Sequence, residues 1–245
     1  MGTEAIETTI STGTLRGSVT DGIRRFLGIP YAAPPFGSRR FRLPAAPDAW
    51  VGVRDATQFG PSAPQTPYRG RIGELLPSLT SDGTNEDILT VNVWAPTDAT
   101  DPASGPLPVV LWIHGGAFER GGSSIAGYDG TSFARGGVVF VSANYRLGSE
   151  GFSVLEDAPR NLGLEDVAAA LRWTHAEIAA FGGDPSRITV MGESAGGALV
   201  AALLSRPDTA PLISGAIIES GPLDAVDPKR AGRVTRALAK RLGVP

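Results

Sequence analysis

An α/β fold built on a mainly parallel sheet is what this sequence predicts, and three observations predict it. Short apolar, β-branched runs recur at Leu89 to Trp94, Leu107 to Ile113, Val138 to Ala143, Ile188 to Met191 and Ala216 to Glu219, each about the length of a buried strand. Helical patterns alternate with them, and strands alternating with helices imply parallel neighbours joined by crossovers. The composition, 42% hydrophobic and 19% charged, is that of a globular chain, and 245 residues suffice for one large domain with a substantial core.

Taken in order, the chain opens with strands. Leu15 to Val19 and Ile23 to Leu27 flank Thr20-Asp21-Gly22, a hairpin signal. Residues 31–85 are rich in Pro and Gly with little periodicity, which predicts long surface loops. A helix is expected from about Leu164 to Phe181, with Val167, Ala170, Leu171 and Ile178 on one face. A second, rich in Ala and Leu, should run from Ala195 to Ser205. A third, from about Asp227 to Leu242, carries Lys229, Arg233, Arg236 and Lys240 on one side and Val234, Leu238 and Leu242 on the other. It reads as an amphipathic helix with a solvated basic face. Trp50, Trp94, Trp112 and Trp173 read as core. No linker, repeat or low-complexity tract divides the chain, so residues 1–245 read as part of one domain.

Two elements carry chemistry. Gly192-Glu193-Ser194-Ala195-Gly196 lies between the strand at Ile188 to Met191 and the helix from Ala195. A G-x-S-x-G pattern in that setting puts a serine on a sharp strand-to-helix turn, with its hydroxyl exposed as a nucleophile. The strand at Val109 to Ile113 runs into His114-Gly115-Gly116-Ala117-Phe118. A glycine loop after an early strand offers backbone N–H groups to an oxygen that turns negative during acyl transfer. Gly116 and Ala117 are expected to donate from this loop, and Ala195 from the start of the nucleophile helix.

The serine needs a base. In such folds acid and histidine follow the serine in chain order, yet only 51 residues follow Ser194, and both histidines, His114 and His175, precede it. His114 is expected to orient the glycine loop, and His175 to sit on a helix surface. Glu193, beside the serine, is too weakly basic to replace a histidine.

These motifs sit in blocks that resemble the type-B carboxylesterases, the family of bacterial para-nitrobenzyl esterases and animal cholinesterases. The blocks are Phe26 to Ala32, Pro34 to Gly37 with Arg40-Phe41, Asn85 to Trp94, Asn144 to Gly148, Asn161 to Asp166, Phe181 to Pro185 and Glu219-Ser220-Gly221. The resemblance implies an α/β-hydrolase fold, a small carboxylic ester as substrate and an acyl-serine intermediate on Ser194; no metal or organic cofactor is expected, because the sequence shows no ligand cluster or phosphate loop to hold one. It implies ion pairs of Arg40 with Glu86 and of Arg146 with Asp166. The chain resembles the family's N-terminal half, which leaves the catalytic Glu and His to the other half. A second chain carrying that half, or self-association through an unfinished sheet edge, is the expected partnership. A non-catalytic binding module or an inactive fragment stays open as the alternative. The chain departs from the family at Ile88 and Ala63, where many members carry cysteine, and at Val167, usually Gln.

Other classes are set aside. A net charge of −3 with no basic patch gives no reason to expect nucleic acid. Met1 to Ser11 lacks a basic segment followed by an apolar run, and no apolar stretch approaches a membrane span. With no cysteine, the chain suits a reducing cytoplasm.

Overall fold

A computed structural model describes residues 4–66, 70–71, 86–103 and 105–243; Asn85, from one of the family-like blocks, lies outside them. Among the described residues nine strands form one sheet: β1 (Glu4–Ile10), β2 (Gly13–Thr20), β3 (Ile23–Pro30), β4 (Val53–Asp55), β5 (Thr90–Pro96), β6 (Leu107–Ile113), β7 (Val139–Ala143), β8 (Gly183–Glu193) and β9 (Gly215–Glu219). The spatial order is β1-β2-β3-β5-β7-β6-β8-β9, with β4 beside β2. From β7 to β9 every pairing is parallel, as expected. Along the path from β1 to β7 the neighbours are antiparallel, while β4 lies parallel to β2, so the sheet is mixed. The β2–β3 hairpin turns on Asp21 and Gly22, with φ of 51° and 76°, the paired positive values that match strand twist.

Alternation along the strands builds two cores on opposite faces. Val91 and Val93, Val109 and Leu111, and Val139 and Val141 point into the larger core. Trp94, Trp112 and Phe140, one residue out of step, enter the smaller one with Ile23, Leu27 and Ala134. Helix α1 (Thr131–Arg135) closes the smaller core through Ala134. The short α2 (Gly148–Phe152) precedes the long α3 (Leu162–Glu177), whose Val167, Ala168, Ala170 and Leu171 are fully buried in the larger core. Burying such a side chain is worth about 1.5–3 kcal/mol for the larger aliphatics. A 3₁₀ turn, Ile178–Phe181, continues α3 to Gly182. Helix α4 (Ala195–Leu204) packs on β8 and β9. Trp94, Trp112 and Trp173 are buried, and Trp50 packs partly buried against the larger core.

The last helix, α5 (Pro228–Leu242), is capped by Asp227, whose carboxylate accepts from Lys229 N and Arg230 N. Its basic face is solvated as expected, but its apolar side is open too: Val234 is 75% exposed and Leu242 65%. It is tethered instead through Thr235 Oγ1, which accepts from Val154 N at 3.0 Å. β9 is the edge strand, with Ala216 to Glu219 exposed.

Candidate active site

Ser194 stands between the end of β8 and the start of α4 with φ 54° and ψ −120°. A side chain at positive φ is strained, by roughly 1–3 kcal/mol, and the surroundings hold it there. Its N–H donates to Glu219 O at 2.7 Å, which staples the turn to the end of β9, and its carbonyl accepts from Ala198 N at 3.0 Å. The flanking glycines are sterically required. A β-carbon on Gly192 would lie 2.5 Å from the Gly196 carbonyl carbon, and one on Gly196 would collide with the Ile113 carbonyl oxygen. The serine is half-buried, and among the described residues its Oγ has no hydrogen-bond partner.

The loop after β6 lies against this turn. A β-carbon at Gly115 would be 3.2 Å from Ser194 Cβ and 2.6 Å from Glu193 Oε2, so the loop passes directly beside Ser194 and its neighbouring carboxylate. Ala117 and Phe118 have φ of 56° and 62°, two consecutive non-glycine residues in the left-handed region. Three bonds hold this shape: Gly116 O accepts from Glu119 N and Arg120 N, both at 3.0 Å, and Phe118 O accepts from Gly148 N at 2.7 Å. Among the described residues, the N–H groups of Gly116 and Ala117 donate to no protein acceptor. The Ala195 N–H belongs to the first turn of α4, where an amide has no intrahelical acceptor.

Behind the loop Asn92, Ser123, Ser142 and Asn144 form a buried hydrogen-bonded network. Asn92 Nδ2 donates to Ser123 Oγ at 2.9 Å and to Ser142 Oγ at 3.0 Å, while Ser123 N donates to Asn144 Oδ1 at 2.8 Å. The Tyr145 hydroxyl, held protonated because burial pushes its pKa up, donates to His114 O at 2.9 Å. Its ring stacks on the His114 imidazole with centroids 4.5 Å apart.

His114 is fully buried, and burial pushes its pKa down to about 4 against the opposing effect of its bond to Gly115. It is therefore neutral near pH 7. Nδ1 lies 2.8 Å from Gly115 O, and since a carbonyl can only accept, Nδ1 carries the proton. Among the described residues Nε2 has no hydrogen-bond partner, and neither ring nitrogen bonds Ser194. His175 is exposed in the last turn of α3.

Arg146 and Asp166 form the expected buried pair, 2.7 Å from Nη2 to Oδ1, with side chains 1% and 0% exposed. Arg40 does not pair with Glu86. Its guanidinium is 57% exposed and bonds Glu150 on α2, with Nε 3.0 Å from Oε1. A cavity of about 870 Å³ between Phe41, Leu155 and Ala239 is lined by none of the site residues. Tyr145 and Gln65 both bond the loop around the site, and the sequence singled out neither as a site residue. Tyr145 stood inside a family-like block, and Gln65 lies two positions after Ala63, where many family members carry cysteine.

A serine on a sharp turn at the end of a central parallel strand, faced by a glycine loop whose Gly116 and Ala117 amides find no acceptor among the described residues, fits a protein of the α/β-hydrolase fold. The chain belongs to the carboxylesterase family, whose model matches residues 4–245. It is 43% identical over 239 residues to the para-nitrobenzyl esterase of Bacillus subtilis (strain 168), covering 95% of this chain and 47% of that one. It is 42% identical over 249 residues to the cholinesterase of Mus musculus, covering 96% and 41%. A solved para-nitrobenzyl esterase structure superimposes with a TM-score of 0.88 at 42% identity, over 98% of this chain and 49% of that one. A Geobacillus stearothermophilus carboxylesterase gives 0.85 at 41% identity, over 98% and 50%. The chain thus spans about half the length of the relatives it matches. Among the described residues no helix is long and apolar enough to cross a membrane.

Proposed function

We propose that this chain carries the nucleophile and the oxyanion-binding amides of a serine carboxylic-ester hydrolase. The observation that carries the reading is Ser194 held at φ 54° beside a loop whose Gly116 and Ala117 N–H groups are unspent. Ser194 Oγ attacks the carbonyl carbon of a small carboxylic ester, and its proton passes to a base. The oxygen that becomes negative accepts from the amides of Gly116, Ala117 and Ala195. Collapse expels the alcohol and leaves an acyl-serine, which water cleaves to release the acid and restore the hydroxyl.

The base and its carboxylate partner come from outside these 245 residues, since no histidine follows Ser194 and His114 is spent on Gly115. A second polypeptide segment packed on the β9 edge is the proposed source. The lack of cysteine suits a cytoplasmic setting.

In serine hydrolases, loss of the histidine removes about 10⁶-fold in rate and leaves a remainder from binding and the oxyanion hole. The purified chain should therefore hydrolyse a p-nitrophenyl ester very slowly, and Ser194→Ala should remove the enzymatic part. Turnover on the order of tens per second, typical of complete enzymes, would overturn the proposed outside source of the base.

A further inference from the structure

Gln65 lies 51 positions before Gly116, yet it grips the same loop. Gly121 N donates to its Oε1 at 2.8 Å, and its Nε2 donates to Gly121 O at 2.7 Å and to Ala63 O at 3.1 Å. The two bonds to Gly121 reproduce the pairing of adjacent strands with a side-chain amide as one partner. They also fix which way the amide faces, because a flipped amide would set NH₂ against the Gly121 N–H. The segment is itself seated from below, since Asn144 Nδ2 donates to Pro61 O at 3.2 Å.

Gly121 is the far stem of the glycine loop and a contact of His114. A β-carbon there, at φ 112°, would lie 2.5 Å from His114 Nδ1 and 2.6 Å from Gly115 O. The Gly121 backbone therefore forms the wall that keeps the imidazole on the Gly115 carbonyl. That carbonyl and the Gly116 N–H belong to one planar peptide, so fixing the first aims the second. The preceding residue, Arg120, ties back as well, donating its N–H to Gly116 O.

We propose that Gln65 is a positioning residue for the oxyanion hole, acting through Gly121 and His114 on the Gly116 amide. The proposal rests on the esterase reading above for its consequence in catalysis, but not for its geometry. A displacement of about 1 Å at a reacting centre can cost 10²-fold in rate. Gln65→Met keeps the length of the side chain and removes all three hydrogen bonds. Gln65→Glu keeps the acceptor for Gly121 N–H and loses the donor.

The test uses the 245-residue chain in two measurements. The first is the rate at which Ser194 is phosphonylated by an aryl fluorophosphonate at pH 9, followed by intact mass. The second is the backbone amide spectrum of Gly115, Gly116, Ala117 and Gly121. Gln65→Met should slow phosphonylation by about ten- to a hundredfold, with Gln65→Glu between it and the wild type. The Gly116 and Ala117 amide resonances should move in Gln65→Met. If Gly121 alone moves and the labelling rate holds, Gln65 is only a staple and the proposal fails. Unmoved Gly116 and Ala117 resonances overturn it even if the wild-type serine proves unreactive, a result that by itself counts against the esterase reading. Should Gln65→Met not fold, Gln65→Glu must still show the slowed rate and the moved Gly116 resonance, or the proposal fails.

Discussion

Substituting Asp166 by Asn probes the interaction that holds the site's supports in place. Asp166 Oδ2 accepts from Arg146 Nε at 2.8 Å and from Arg146 N at 3.0 Å, while Oδ1 accepts from Nη2 at 2.7 Å. Arg146 spends Nη1 on Arg42 O at 2.8 Å, and neither side chain is more than 1% exposed. An amide in place of the carboxylate leaves a buried guanidinium without a counter-charge, which costs about 3–5 kcal/mol. An open pair such as Arg16–Glu7, about half exposed on each side, is worth only about 0–1 kcal/mol. In a chain of this size each kcal/mol moves Tm by about 2–4 °C, so Asp166→Asn should melt about 6–20 °C lower. Glu7→Gln should leave Tm nearly unchanged. Calorimetry with urea titration of the chain and its variants measures both. The double variant Arg146→Met/Asp166→Leu strands no charge and should recover much of the loss. A loss below about 1 kcal/mol for Asp166→Asn, or a double variant worse than either single one, would refute the reasoning.

Other expectations follow from single features. Because the folded-state pKa of His114 lies near 4, below the 6.5 of a free histidine, the unfolded chain binds more protons between those values. Stability should therefore fall as pH drops from about 6.5 to 4, by on the order of 3 kcal/mol, and His114→Gln should flatten that part of the urea-midpoint profile; an unflattened profile would put the titrating group elsewhere. Gly196→Ala drives a β-carbon into the Ile113 carbonyl oxygen and should yield little folded protein, whereas Ala198→Gly should cost only about 1 kcal/mol in circular-dichroism melts. β9 presents Ile217 and Ile218 at 42% and 40% exposure on an open edge, a template for another strand. Light scattering after size exclusion should show dimers or larger species that grow with concentration, and a clean monomer over a wide range would contradict this.

The parallel half of the sheet and the strand-to-helix turn at Ser194 were legible from short stretches of sequence. Apolar β-branched runs read as strands, and Leu107 to Ile113 matches β6 at both ends. G-x-S-x-G encodes a turn in which Gly192 packs on Gly196 and Gly197, and Gly196 packs on Ile113 and His114 at the end of the adjacent strand. Of the antiparallel half the β2–β3 hairpin was legible from Thr20-Asp21-Gly22, but the pairing of β3 with β5 was not, since Ile23 to Pro30 looks alike whichever direction its neighbour runs. β4 is three residues, too short for alternation to register. Arg40 found Glu150 instead of Glu86 because an exposed pairing depends on tertiary proximity that no spacing encodes. The same holds for α5. Its pattern foretells a helix and an apolar side, but not that the helix hangs from Val154 with Val234 and Leu242 open. Gln65 and Gly121, 56 positions apart, meet only through folding.

The central claim is that Ser194 is the nucleophile of this chain and that the loop amides stand ready for the charge its attack creates. Incubating the purified chain with p-nitrophenyl butyrate, quenching in acid and mapping the peptides by mass spectrometry tests it most directly. The account predicts one butyryl group, on Ser194, appearing with nitrophenolate release and persisting because no base drives deacylation; Ser194→Ala should stay unmodified. Butyryl groups scattered over surface lysines at the same rate in both proteins, with Ser194 untouched, would contradict it.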